Sequence, residues 1–216
     1  MKKILPLARS TPRAQHATQL ILASASPRRA ELLARAGIPF AVQVSEAREP
    51  ARKPAAIPTE LWPACLAYVK AAAVQRQLER KRSKDVGGII LGADTIVVSP
   101  AGAILNKAAD RAHARRILAA LSGKTHRVIT GLCLLRGGTF RVASATAVCR
   151  MKTLSERELT RYLESGLWRG KAGAYGIQDA VDDPFITLVS GEFSTVVGLP
   201  LELLRRELAA FPETAA

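Results

Sequence analysis

Residues 88–100 read GIILGADTIVVSP, a long apolar strand broken by a single charge, Asp94. Every close neighbour of that charge except Thr95 is apolar or glycine. A buried, unpaired carboxylate costs several kcal/mol or stays protonated. Asp94 therefore needs a partner or a task. One reading is an aspartate that accepts hydrogen bonds from a nearby turn. The preferred reading is a carboxylate at a site, with Gly92 thinning the wall for close approach.

Around this strand, helical and extended patterns alternate. Upstream, QLILAS (19–24) reads as a buried strand and FAVQVS (40–45) alternates like a second. Between them Ser26 is placed as an N-cap and Pro27 as the first helical residue, with Leu32, Leu33 and Ala36 at helical spacing and Gly37 as a stop. Residues 45–58 are polar and proline-rich, which marks a loop. A helix follows from about Thr59 or Trp62 to Arg80, ending in a basic run that reads as an exposed helix end. Downstream, residues 110–123 form a helix capped by Asp110. Residues 126–151 read as two long strands joined at Gly137 and Gly138. Ser155 and Glu158 make a capping box, residues 171–179 are loop-like, residues 184–190 a strand, and a helix runs from Pro200 to about Phe211. The pattern predicts an α/β fold: a mixed twisted sheet flanked by helices, one domain over 19–212 around a central groove.

The composition is that of an ordinary globular protein, 48% apolar and 23% charged. No apolar run is long enough to span a bilayer. With 32 Lys and Arg against 18 Asp and Glu, the net charge of +14 points to polyanions as partners. Cys65, Cys133 and Cys149 lack metal-ligand spacing and read as free thiols in a reducing, cytoplasmic setting. Residues 1–18 hold Lys2, Lys3, Arg9 and Arg13 without an acid and read as a basic, disordered extension rather than a secretory signal. Trp62 and Trp168 read as packing.

Arg28 and Arg29 stand in the first turn of the helix that begins after Ser26, where the macrodipole disfavours cations by about 0.3–1 kcal/mol each. A bound anion resolves the conflict. Helix N–H groups, both guanidinium groups and the hydroxyls of Ser24 and Ser26 together make a phosphate pocket. On this reading, replacing either arginine leaves the ligand-free protein as stable or slightly more so. Lys70, Lys107 and Lys171 each have a plain reading as long side chains lying along apolar surface.

The stretches SPRR, GADT, LSGKTHRVITG, KAGAYGIQ and VVGLP occur in one order over nearly the whole chain beyond residue 18. In this the chain resembles the Maf family of nucleotide pyrophosphatases. The resemblance implies a Maf/ITPase-like fold, a divalent metal (Mg²⁺ or Mn²⁺), and cleavage of a nucleoside triphosphate to monophosphate and pyrophosphate. It makes Asp94 the proton acceptor, with Lys70 and Lys107 in the catalytic set. Ser24, Arg28, Arg29 and Lys171 become substrate-binding residues, and Glu49 with Asp94 metal-binding ones. Arg28, Thr95 and Gln178 are similar to the branch acting on dTTP and UTP. The neutral Gln178 amide suits the O–N–O edge of thymine or uracil, whereas an acid there suits guanine. Several departures bear on this reading. Arg48, Leu167 and Gly170 stand where acids are common, and Arg48 and Leu167 remove charge that could bind metal; NKAAD (106–110) replaces a Gly-Lys-Pro pattern around Lys107, and Asp179 replaces a glycine beside Gln178.

The expected partner is thus a nucleoside triphosphate, with neither membrane nor nucleic acid; the residues do not set the oligomeric state, and a homodimer is one assembly open to the chain. The competing reading is a basic nucleotide- or nucleic-acid-binding protein with little catalysis.

Overall fold

The computed structural model describes residues 19–50, 52–179 and 185–212. The stretch 1–18, expected to be an extension, lies outside the described residues. The strand of the opening motif is β3 (Ile89–Val98), and it sits in the middle of a seven-stranded sheet. On one side β1 (Leu20–Leu22) runs parallel to it, with β2 (Phe40–Val42) parallel beyond. On the other side β5 (Thr125–Arg136), β6 (Thr139–Met151) and β7 (Ile186–Ser190) continue antiparallel. A two-residue strand, β4 (Ile104–Leu105), pairs with the end of β3. The sheet is mixed, as the alternation of elements predicts, and Gly137 and Gly138 turn the β5–β6 hairpin.

Side chains alternate across a strand, and the two faces are covered by different helices. The face of Ile21, Ile90 and Cys133 packs against Ala67, Ala71 and Val74 of α2 (Trp62–Arg80). The opposite face, with Leu22, Leu91 and Leu132, packs against Leu33 of α1 (Pro27–Arg35) and Leu203 and Leu204 near the chain end. Toward the far end of β3, Val97, Val128 and Met151 join α3 (Arg111–Leu121) and α4 (Glu156–Ser165) in a third cluster that includes Trp168. Trp62 and Trp168 are both buried, as expected of packing residues.

Two glycines let α2 lie directly on the sheet. A Cβ at Gly92 would come within 2.0 Å of the Ala67 carbonyl oxygen, and one at Gly131 within 2.1 Å of the Ala64 nitrogen. Gly92 does thin a wall, but the body that approaches is α2 and not a ligand. That corrects the sequence reading and brings Lys70, one turn beyond Ala67, beside Asp94.

Three short elements have no counterpart in the sequence reading: a 3₁₀ turn at Lys84–Gly87, β4 and α5 (Phe193–Val197). None is long enough to display a period. The last helix, α6 (Leu201–Ala209), follows Pro200 as expected.

Candidate active site

A cavity of about 460 Å³ opens where β1 runs into α1, and it reaches across β3 to the loop 169–178. Ser24, Arg28, Arg29, Glu49, Lys70, Asp94, Thr95, Lys107, Lys171 and Gln178 all line it. The fold therefore gathers every candidate site residue from segments far apart in the chain. Arg169 and Tyr175, which sequence reasoning passed over, also stand in the wall. Six cationic side chains face two carboxylates there. Such an excess of positive charge in one concavity attracts a polyanion.

One corner of the cavity is the start of α1. Ser26 holds the N-cap backbone position and Pro27 the first helical one, but the Ser26 side chain makes no capping bond. This corrects the expected cap. The hydroxyl that is engaged belongs to Ser24, which accepts from the Ser26 N–H at 3.2 Å and from Arg29 Nη1 at 2.9 Å. Without a side-chain cap, the first-turn N–H groups are available to an anion.

Arg28 and Arg29 are not equivalent. Arg29 is only 9% exposed; its Nε donates to the Gly198 carbonyl at 2.8 Å and its Nη2 to Thr95 Oγ1 at 3.3 Å. Burial pulls its pKa below the ordinary arginine value, with the nearby carboxylate of Asp94 acting in the other direction. Gly198 belongs to this arrangement: its φ is +122°, and a Cβ there would press 3.2 Å from Thr95 Oγ1. Arg28 is half-buried and lines the cavity.

Asp94 has the partner that its buried position demands. Lys70 Nζ lies 2.5 Å from Asp94 Oδ1 and 3.2 Å from Glu49 Oε1. Lys70 and Asp94 side chains are each 13% exposed. The loop carrying Glu49 is tied to α2 by Ser45, whose hydroxyl donates to the Lys70 carbonyl at 3.2 Å. Asp94 points to the α2 face of the sheet and Thr95 to the α1 face, so two adjacent residues serve opposite walls.

The remaining wall is held by a bridge between Lys107 and Ala172, with the Gly173 N–H donating to the Leu105 carbonyl at 3.2 Å. Asp179 does not present acid to the cavity. Its carboxylate pairs with Lys171 and accepts from Tyr162 Oη at 2.7 Å and from the Gly176 N–H at 2.9 Å. Burial and the Asp179 carboxylate together raise the Tyr162 phenol well above its usual range. Of the other departures, Gly170 and the stretch around Lys107 reach the cavity wall, whereas Arg48 and Leu167 lie outside it; Leu167 borders a smaller apolar hollow beside Tyr162.

Among the described residues, no group of three or more His, Cys, Asp or Glu side chains is placed to hold a metal. Glu49 and Asp94 share Lys70 between them. Magnesium keeps several waters and is bound by one or two carboxylates together with substrate phosphates. Two carboxylates on a cavity wall fit a metal that arrives on a triphosphate, not a closed protein cage.

Fold and site thus define a mixed α/β protein with a cation-rich cavity around a lysine-paired aspartate. The family model described as Maf-like protein matches residues 19–211, and the chain belongs to that family. It is 46% identical over 193 residues to a dTTP/UTP pyrophosphatase of Symbiobacterium thermophilum, an alignment covering 89% of this chain and 94% of the relative. Proteins of the same name from Hyphomonas neptunium and Chlorobaculum parvum are 44% and 40% identical. Those alignments cover 84% and 85% of this chain, and 90% and 89% of the respective relatives.

Proposed function

We propose that this chain is a nucleoside triphosphate diphosphatase, hydrolysing dTTP and UTP, or modified nucleotides, to the monophosphate and pyrophosphate. The observation that carries the proposal is the Lys70–Asp94 pair facing the uncapped start of α1 across one cation-rich cavity. The triphosphate lies against the N–H groups of α1, Arg28, Arg29, Lys107 and Lys171. Lys70 holds Asp94 through Oδ1, which leaves Oδ2 to orient a water and take its proton. The water oxygen forms a bond to the α-phosphorus as the bond from that phosphorus to the bridging oxygen breaks, and pyrophosphate leaves. Preorganised cations offset the charge that develops on the phosphates.

Mg²⁺ or Mn²⁺, held by Glu49 and Asp94, supplies further neutralisation of the phosphates when bound. Arg28, Thr95 and Gln178 select the base. Residues 19–212 act as one unit, in the cytoplasm and as a homodimer; the free thiols Cys65, Cys133 and Cys149 support the first placement, and sedimentation checks the second.

Pyrophosphate release from a panel of triphosphates, with magnesium or manganese, tests the proposal. dTTP and UTP are expected to exceed dCTP, ATP and GTP in kcat/KM, and Gln178→Glu to erode that preference. Tight nucleotide binding without release from any member would leave a binding protein in place of an enzyme.

A further inference from the structure

Thr95 and Thr130 are directly paired residues of β3 and β5, and their hydroxyl oxygens lie 2.9 Å apart. The distance alone does not say which one donates. The groups at the two ends of the chain do. Thr130 Oγ1 lies 2.7 Å from the carbonyl oxygen of Thr195, a group that only accepts. Arg29 Nη2, a group that only donates, lies 3.3 Å from Thr95 Oγ1. A hydroxyl has one proton. Thr130 gives its own to Thr195, so Thr95 must give its proton to Thr130. Thr95 then offers the cavity a lone pair and no proton.

We infer that Thr130 is a positioning residue for base specificity: by taking the Thr95 proton, it makes the Thr95 hydroxyl an obligate acceptor toward the bound nucleobase. The inference rests on the reading of the cavity as a nucleoside triphosphate site. Uracil and thymine carry a proton on N3, whereas cytosine has a bare nitrogen in the corresponding place. An acceptor in the wall bonds the first pair and faces the lone pair of the second. A site built to bond a particular N–H discriminates strongly, because the analogue without it leaves buried groups unpaired. Thr130 is fully buried and absent from the cavity wall, so it acts only through Thr95. Arg29, held in turn by Gly198 and Ser24, fixes the other end.

The test compares kcat/KM for UTP, dTTP, dUTP and CTP in the full chain and in Thr130 variants. Thr130→Val keeps the shape but removes the acceptor, so the Thr95 proton is free to turn into the cavity and serve cytosine. The UTP to CTP ratio is expected to fall by about tenfold or more, chiefly through KM, with the UTP to dTTP ratio unchanged. Thr130→Ser, which keeps the hydroxyl, is expected to restore the wild-type ratio. Should Thr130→Val not fold, Thr130→Cys, a weak donor and acceptor, is expected to give an intermediate ratio. An equal loss for all four nucleotides would make Thr130 merely structural and overturn the inference. So would a change confined to the UTP to dUTP ratio, which would place Thr95 against the ribose. Failure of the wild-type chain to release pyrophosphate from any triphosphate would overturn the nucleotidase reading instead.

Discussion

Arg29 donates to the Gly198 carbonyl, to Ser24 and to Thr95, whereas Arg28, one residue earlier, stands half-buried in the cavity wall. The macrodipole argument treats them alike; their partners do not. For Arg28→Ala, weaker triphosphate binding is expected with the melting temperature of the ligand-free protein unchanged or raised, since a cation leaves the first turn of α1. For Arg29→Ala, the same measurement should show a clear drop. Leaving a buried acceptor without its donor costs about 1–3 kcal/mol, and Gly198 and Ser24 both lose one. Equal melting behaviour of the two variants would refute this division. At Asp94 the expected separation is between chemistry and fold. Asp94→Asn keeps an oxygen for Lys70 but cannot take a proton from water. Turnover should fall about 10²–10⁴-fold in kcat, with KM and melting temperature little changed. Wild-type kcat in this variant would show that Asp94 is only the partner of Lys70.

The contact of α2 with β3 and β5 decides whether those residues meet at all. Ala64 and Ala67 on the helix face Gly131 and Gly92 on the sheet with no room for a methyl group. Gly92→Ala must therefore lift α2 and draw Lys70 away from Asp94. Overpacking of this kind costs about 1–3 kcal/mol, so a lower melting temperature and a lower kcat are expected together. Gly138, in the β5–β6 turn, has open space around its Cβ position and provides the control. Gly138→Ala should leave both quantities unchanged. A Gly92→Ala enzyme with full kcat would mean that the closeness of α2 is not what sets the Lys70–Asp94 pair.

For the molecule as a whole, acid stability has an identifiable origin. His126 is 2% exposed, its Nε2 lies 2.6 Å from Tyr175 Oη, and burial pushes its pKa down to about 4. The folded state favours the neutral ring, while the unfolded chain takes up the proton near 6.5. The contribution is thus fully present above pH 6.5 and is lost as the pH falls toward 4. A shift of this size is worth on the order of 3 kcal/mol. Melting temperatures measured from pH 7.5 to 4.5 should fall less steeply for His126→Gln than for the wild type. Parallel slopes would assign the acid sensitivity elsewhere. Glu158 does not confuse the reading. Its carboxyl, bonded to Ser155 in the α4 capping box, is held at about 2, so its contribution is lost only below about pH 4.5.

Strands β1, β2, β3, β5, β6 and β7 and helices α1, α2, α3, α4 and α6 were legible in the residues alone, because periodicity, caps and turn glycines act over a few neighbours. The same local signals raised Asp94 and the Arg28–Arg29 pair as residues in need of a reason. The order of motifs tied them to a family. What local signals do not carry is pairing between distant segments. The register that sets Thr95 against Thr130, and the turn of Asp179 toward Lys171 and Tyr162, appear only when β3 meets β5 and the loop 171–179 closes. So does the closeness of α2 that gives Asp94 its lysine. A chain of 216 residues states which side chains can bear charge or donate a proton. Which partner receives that proton is a contact between residues far apart in sequence, and close packing in the folded core selects it.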